Sequence, residues 1–302
     1  MSIRPLLPAL AEKARLELNE DPKKMEHYLQ HLKDWIAKQP HLKARTDDQW
    51  LVAFLRGCKY NLEKTKEKLD IHYTIRYTAP ELHKIKHRDT RFEEVFSLGA
   101  VLTLPKTSTP DGPRITLIRP GKYDASKYDI SDIISMVMFM DDDNAIVAGT
   151  TVIQDLEGVT LGHFLQMTPT TMKKMVVAGQ DAIPIRMKGT HYLNAPPGFE
   201  TIFMAMKSLL NEKNRNRLYV HGKNSQSLYK HVPKEILPKE YGGDGGTTEE
   251  ILEGWRMKIK EYNTFLEEDW QYGTDESMRF GKPKTPEVMF GLEGSFRQLD
   301  VD

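Results

Sequence analysis

Short runs of β-forming residues alternate with helical segments between about residues 100 and 231. The strand-type runs are Ala100–Leu104, Ile115–Ile118, Thr150–Gln154, Gly189–Leu193 and Leu218–Val220. Segments between them, such as Ser131–Met140 and Pro197–Leu210, have the apolar spacing of helices. Strands that alternate with helices imply a largely parallel sheet with helices packed against it. The sequence therefore predicts an α/β fold for this region.

Helical patterns flank this region on both sides. From Pro22 to about Thr78, apolar residues recur at three- and four-residue steps. On the other side, the glycine-rich run 241–246 breaks the chain, and we expect Thr248 to cap a final helix that reaches about Trp270. We therefore predict an N-terminal helical module (1–95), an α/β domain (96–246) and a C-terminal helix with a loosely ordered tail (247–302).

The charge balance and cysteine count exclude several classes of protein. The 302 residues include 43 Lys and Arg and 43 Asp and Glu, so no overall positive field attracts nucleic acid. One cysteine, Cys58, excludes an internal disulfide framework and fits a reducing cytosol. No apolar run approaches the roughly 18 residues of a membrane-spanning helix, and the first residues do not resemble a secretory signal. We expect a cytoplasmic protein without a nucleic-acid partner.

Catalytic, cofactor-binding and metal-binding motifs are missing from the sequence. Asp155 and Glu157 follow a strand and suit either acid–base chemistry or hydrogen bonds within a turn, and the turn is the favoured interpretation. His163, His191 and His221 are candidates to converge, with structural roles as the alternative. We therefore expect no enzymatic activity, no cofactor and no metal.

A methionine-rich segment and a basic segment point to a lipid instead. Met172, Met175 and Met187 follow the strand that ends at Asp155, and flexible methionines suit a surface that accepts an irregular apolar guest. Residues 186–234 carry nine Lys or Arg and two Glu. Such a local excess of positive charge favours phosphates or an anionic membrane. The apolar helix Pro197–Leu210 lies immediately upstream of most of these charges.

Several motifs, taken in order, resemble the CRAL-TRIO family of lipid-transfer proteins. The N-terminal module of that family is matched by Asp48–Arg56 and Tyr60–Lys64. The landmarks of its lipid-binding domain are matched by Asp111–Arg114, Asp155–Gly158, Tyr192–Pro196 and Leu237–Gly243. His163–Pro169 and Asn211–Lys213 are most similar to the branch of α-tocopherol transfer protein and cellular retinaldehyde-binding protein.

The resemblance implies a hydrophobic pocket that is floored by a mixed, largely parallel sheet and closed by a mobile helical gate. The pocket residues that we expect are Ile134, Met138, Ile153, Gln154, Phe164, Met175, Ala178, Gly179, Met187 and Thr190. The gate residues are Phe199, Ile202, Phe203 and Met206. The residues implied for phosphoinositide binding are Arg186, Lys188, Lys213, Arg217 and Lys59, the last replacing a basic position that falls at Cys58 here.

The leading interpretation is a monomeric, non-enzymatic carrier of a tocopherol-, retinoid- or isoprenoid-like molecule. It would exchange its ligand at phosphoinositide-containing membranes, with which it associates transiently. The alternative is a lipid-sensing regulatory adaptor that recruits a protein partner. An α/β enzyme that acts on a lipid is a third possibility without a catalytic constellation to support it.

Overall fold

A computed structural model describes residues 3–137, 142–222 and 225–291 of the chain. Within these residues, the strands are β1 (Leu42–Lys43), β2 (Val101–Thr103), β3 (Arg114–Ile118), β4 (Thr150–Asp155), β5 (Met187–Leu193), β6 (Leu218–Val220) and β7 (Gly273–Thr274).

The helices surround a central sheet. In chain order they are α1 (Pro8–Leu18), α2 (Met25–Ala37), α3 (Asp48–Gly57), α4 (Leu62–Thr78), α5 (Thr90–Ser97), α6 (Ile130–Val137), α7 (Asp143–Val147), α8 (Leu161–Gln166), α9 (Pro169–Val176), α10 (Phe199–Leu209), α11 (Glu212–Arg215), α12 (Thr248–Glu261), α13 (Asn263–Asp269) and α14 (Pro286–Phe290). A π-helical segment, Val177–Ala182, continues α9.

The central sheet has the strand order β2-β3-β4-β5-β6. Strands β2 and β3 pair antiparallel, whereas β3, β4, β5 and β6 pair parallel. The α/β class with a mixed, largely parallel sheet is therefore confirmed. Helices fill the crossovers between the parallel strands, as parallel pairing requires.

The two faces of the sheet carry different side chains, because successive residues of a strand point to opposite faces. We call the face with Gln154, Thr190 and Tyr192 the front face, since Tyr192 packs against Phe199 of α10. The back face carries Ile153 and Leu193, which are buried in the main core with residues such as Leu228 and Val232. The front face is thus the one that α10 covers.

The N-terminal helices enclose a second core. Leu51, Phe54 and Leu69 are completely buried there, together with Tyr73. The Arg56 guanidinium donates to both carboxylate oxygens of Glu20, at 2.8 and 2.9 Å. A two-pronged ion pair of this kind compensates a buried guanidinium through directed hydrogen bonds. Asp47 caps α3 by accepting from the backbone N–H of Trp50.

The helical module holds the π-helical segment through that segment's carbonyl groups. Lys68 donates to the backbone oxygen of Gln180 at 2.8 Å, and Nδ1 of His72 lies 3.0 Å from that of Ala182. Gly57, at the end of α3, approaches the oxygen of Pro184 so closely that a Cβ atom there would lie 2.2 Å from it. A glycine is therefore required where α3 meets the chain before β5.

The tail is more ordered than the sequence suggested. Strand β7 pairs with β1 of the helical module. Further along, Arg279 and Lys284 bind Asp70 of α4 at 2.6 to 2.9 Å. Phe290 packs in a small core with residues of α4 and the π-helical segment, and is 5% exposed. We call residues 273–291 the C-terminal clasp.

None of the helices within the described ranges is long and apolar enough to cross a membrane. The helix expected to run from Thr248 to Trp270 also differs from expectation. Thr247 caps it rather than Thr248. Helix α12 ends at Glu261 and α13 begins at Asn263, so the predicted helix is interrupted at Tyr262. The division into residues 1–95, 96–246 and 247–302 stays a prediction.

Candidate functional site

The loop after β4 is built around the Asp155 carboxylate. Its Oδ1 accepts from the backbone N–H of Glu157 at 3.1 Å and from Nδ2 of Asn194 at 2.8 Å. Its Oδ2 accepts from the hydroxyl of Tyr241 at 2.5 Å. Burial and this carboxylate raise the pKa of the Tyr241 hydroxyl. These bonds join three separate loops, and the turn interpretation of Asp155 is confirmed.

Aromatic rings join α10 to the front face of the sheet. The Tyr192 ring lies 5.2 Å from that of Phe199 and 5.4 Å from that of Phe203. Phe164 of α8 and Leu218 of β6 pack against the same cluster. The structure therefore brings Phe164, which we predicted to line the pocket, together with Phe199 and Phe203, which we predicted in the gate.

Helix α10, which carries the predicted gate residues, is half covered. Phe199 is 9% exposed, whereas Met204, one turn further, is 56% exposed. Ile202, Phe203 and Met206 have intermediate exposure. On its other side α10 packs against α9. Helix α10 is thus anchored to the sheet at Phe199, whereas part of its apolar surface, including Met204, is exposed.

Two more predicted pocket residues pack against the main core. Met175 of α9 and Ile134 of α6 are both partly buried there. Met187 has intermediate exposure at the start of β5. Met138, also predicted to line the pocket, lies outside the described residues.

Other predicted pocket residues are placed differently. Ile153 is completely buried on the back face, so the sheet separates it from Gln154 and Thr190. Ala178 is buried in the small core that includes Ile75 and Phe290. Gly179 is exposed, and a Cβ atom there would contact nothing within 4 Å. Whether these positions contact a ligand stays a prediction.

Two cavities in the described part of the chain lie away from this region. One of about 400 Å³ is lined by Pro40–Lys43 and Gln271–Asp275, and one of about 130 Å³ lies between α5 and α12. Neither is lined by a predicted pocket residue. In this structure, α10 packs directly on Tyr192, so the predicted pocket is closed where the aromatic cluster lies.

The predicted phosphoinositide residues form one basic cluster at the junction with the helical module. Burial and the nearby charges of Arg217 and Lys59 lower the pKa of the Lys213 ammonium. Burial and the guanidinium of Arg186 likewise lower the pKa of Lys188. Because these cations repel one another, an anion that binds among them stabilises the cluster. All five predicted residues therefore belong to one electropositive surface.

Two arginines of the basic cluster also hold the backbone. Arg186 donates to the carbonyl of Val147, and Arg217 donates to that of Met187. Lys59 and Lys213 are exposed. Lys59 has a φ of 53°, in the left-handed region that few non-glycine residues adopt. The arginines thus have a structural role in addition to their charge, whereas the two lysines extend into solvent.

Sequence reasoning missed several residues of this surface. Lys13 of α1 and Lys64 of α4 add positive charge to the basic cluster, since they act on Lys188 and Lys213 respectively. Glu17 lies among the cations, 3.5 Å from Arg186 and 3.8 Å from Lys188. Lys13 and Glu17, four residues apart in α1, were the signal that the sequence contained.

Two exposed leucines on α8, the helix whose Phe164 packs in the cluster with Phe199 of α10, were also missed. Leu161 and Leu165 of α8 are 70% and 71% exposed. The same short helix places Phe164 against the aromatic cluster. Leucines four residues apart lie on one side of a helix, and that spacing was the available signal.

Comparison with known proteins places the chain among lipid-binding proteins. A family model for the CRAL/TRIO domain matches residues 100–243, and one for a Pinta-like, UBA domain matches residues 21–94. Alpha-tocopherol transfer protein-like of Mus musculus is 34% identical over 243 residues, which are 78% of this chain and 70% of that protein. The chain belongs to the CRAL/TRIO family of lipid-binding and transfer proteins, as its motifs suggested.

Clavesin-2 of Rattus norvegicus is a further relative, 29% identical over 245 residues, which are 79% of this chain and 75% of that protein. The crystal structure of Sfh5 aligns with a TM-score of 0.49 and 12% sequence identity, over 86% of this chain and 100% of that chain.

Proposed function

We propose that this protein carries one hydrophobic small molecule, of the tocopherol, retinoid or isoprenoid type, and exchanges it at phosphoinositide-containing membranes. It acts in the cytoplasm without catalysing a reaction. The observation that carries the proposal is the position of α10, an apolar, half-covered helix next to the basic cluster. Burial of apolar ligand surface, at about 25 cal/mol per Å², would stabilise the loaded protein.

The exposed side chains around α10 suit a membrane surface. Met204 of α10 and the leucines Leu161 and Leu165 of α8 are more than half exposed. Two contributions hold a protein to an anionic bilayer: apolar groups that reach the acyl chains, and cations that bind the headgroups. We infer that α8 and α10 enter the interface together while the basic cluster binds phosphorylated headgroups.

Removal of two exposed lysines tests the headgroup role. In Lys59→Ala/Lys213→Ala, each lost cation is expected to weaken attraction to the membrane by about 1 kcal/mol. Binding to vesicles that contain phosphatidylinositol bisphosphate should therefore fall roughly tenfold to thirtyfold, as measured by co-sedimentation. Lys106→Ala/Lys282→Ala is the matched control, because both lysines are exposed and lie outside the cluster.

An assay of ligand transfer between vesicles distinguishes a carrier from a regulatory adaptor. A fluorescent tocopherol analogue in donor vesicles should reach acceptor vesicles faster with the wild-type protein, and more slowly with the Lys59/Lys213 variant. Ligand binding without faster transfer would favour the regulatory adaptor. Equal vesicle affinity of the variant and the wild type would rule out the headgroup role.

A further inference from the structure

The front face of the sheet carries polar side chains among its apolar ones. The strand register places Thr116, Val152, Thr190 and Leu218 in one row across the sheet. The neighbouring row contains Ile118, Gln154, Tyr192 and Val220. Gln154 and Thr190 thus lie on adjacent strands and the same face, diagonal to one another and beside Tyr192. We call this part of the front face, with Gln154, Thr190 and Tyr192, the floor of the site. A hydrocarbon ligand on the floor would contact an amide and two hydroxyls.

These polar groups have no partners in the described part of the protein. The Gln154 amide, the Thr190 hydroxyl and the Tyr192 hydroxyl make no hydrogen bond there. The Thr103 and Thr116 hydroxyls, further along the same face, lie 3.3 Å apart and satisfy each other. Thr190 and Tyr192 are each 8% exposed, and Gln154 has intermediate exposure. A ligand that covers this floor would therefore remove the remaining water from three unpaired polar groups.

An unpaired polar group that loses its water destabilises the state in which it is buried. A ligand that offers an oxygen at this point avoids that penalty. The glutamine amide provides both a donor and an acceptor, so either a hydroxyl or a carbonyl oxygen can pair with it. The threonine hydroxyl has the same versatility.

We propose that Gln154 and Thr190 select a ligand that carries a hydroxyl or carbonyl oxygen against the floor of the site, and reject the corresponding hydrocarbon. The inference rests on the proposed function and specifies its ligand class as an oxygenated apolar molecule. Tyr192 provides a third polar group, beneath the gate. A floor built for hydrogen bonds discriminates more strongly than an apolar wall does, because the wrong ligand leaves the protein groups unpaired.

Matched pairs of probes test this selectivity. The protein is loaded from equimolar mixtures of retinol and its deoxy hydrocarbon, of cholesterol and cholestene, and of hexadecanol and hexadecane. Native mass spectrometry then gives the ratio of the two bound species. We expect the wild type to hold the oxygenated member of at least one pair in tenfold or greater excess. The substitutions Gln154→Leu and Thr190→Val together should bring that ratio close to one.

Thr151→Val is the matched control, since Thr151 lies in the same strand on the back face and is 7% exposed. Its preference should equal that of the wild type. Equal uptake of both members of every bound pair by the wild type would overturn the inference even if the double variant failed to fold. An unchanged ratio in a folded double variant would overturn it too. If the wild type bound neither member of any pair, that result would instead contradict the proposed carrier function.

Discussion

At the scale of single residues, the histidines illustrate how tertiary structure decides a role. Of the three that were candidates to converge, two do: Nδ1 of His191 lies 2.9 Å from Nε2 of His221. His163 instead bonds the backbone of Tyr123 at 3.0 Å. The ring of His231, an exposed residue, lies 5.1 Å from that of His191. The sequence contains ten histidines, but it does not show which of their side chains lie close together.

This arrangement predicts sensitivity to acid. Burial, with the nearby His221 and His231, lowers the pKa of His191 to about 4, whereas an unfolded histidine titrates near 6.5. Between these values the unfolded chain takes up a proton that the folded chain does not, so the free energy of unfolding decreases as pH falls. His191→Gln removes this titration. Urea unfolding at pH 7 and pH 5 should therefore show a smaller loss of stability than in the wild type.

His27→Gln serves as the control for this measurement, because His27 is exposed on α2. It should lose as much stability as the wild type between the two pH values. A His191→Gln variant whose stability declined in parallel with the wild type would contradict the assignment.

At the scale of elements, the positions of the central strands and of helix α10 along the chain followed from the sequence, since period and turn residues are local signals. Which face a strand residue occupies did not follow. Thr150–Asp155 lacks a clear alternation of apolar and polar residues, so Ile153 and Gln154 were both expected in the pocket. Only the packing of the back face separates them. The break between α12 and α13 likewise has no glycine or proline to announce it.

The contact between α3 and the chain before β5 gives a prediction at this scale. A methyl group at Gly57 would clash with the Pro184 carbonyl, so Gly57→Ala should lower the free energy of unfolding by about 1–3 kcal/mol. Gly254→Ala in α12 is the control, because a Cβ atom there meets nothing within 4 Å. That substitution should be neutral or stabilise by up to about 1 kcal/mol. Chemical denaturation distinguishes the two, and equal effects would show that the approach at Gly57 is not a tight one.

At the scale of the whole molecule, the C-terminal clasp joins parts that the sequence suggested were separate. Asp70 is the centre of its attachment, since it binds Arg279, Lys284 and His41. Burial opposes its charge, but the two cations lower the pKa of Asp70 to about 2. No local pattern predicts such an attachment, because its members are roughly 210 residues apart along the chain.

Asp70→Asn tests the clasp. The substitution removes the carboxylate that Arg279 and Lys284 share, although Arg279 keeps its ion pair with Glu276. We expect the protein to be destabilised by about 1–3 kcal/mol. Residues 273–291 should also become susceptible to limited proteolysis before the rest of the chain does. Asp34→Asn, at an exposed position on α2, should change neither readout. If residues 273–291 of Asp70→Asn resisted proteolysis as well as those of the wild type, the contacts of β7 and Phe290 would be sufficient to hold the C-terminal clasp.

The pairing of β1 with β7 has a consequence for the order in which the protein forms. Its two strands are about 230 positions apart, and a contact of such long range closes late, after most of the polypeptide has left the ribosome. Until then the backbone of β1 has no partner strand and Asp70 has no cations. The helical module therefore emerges with an open strand edge and an uncompensated carboxylate, and reaches its final stability only when the last helices have been synthesised.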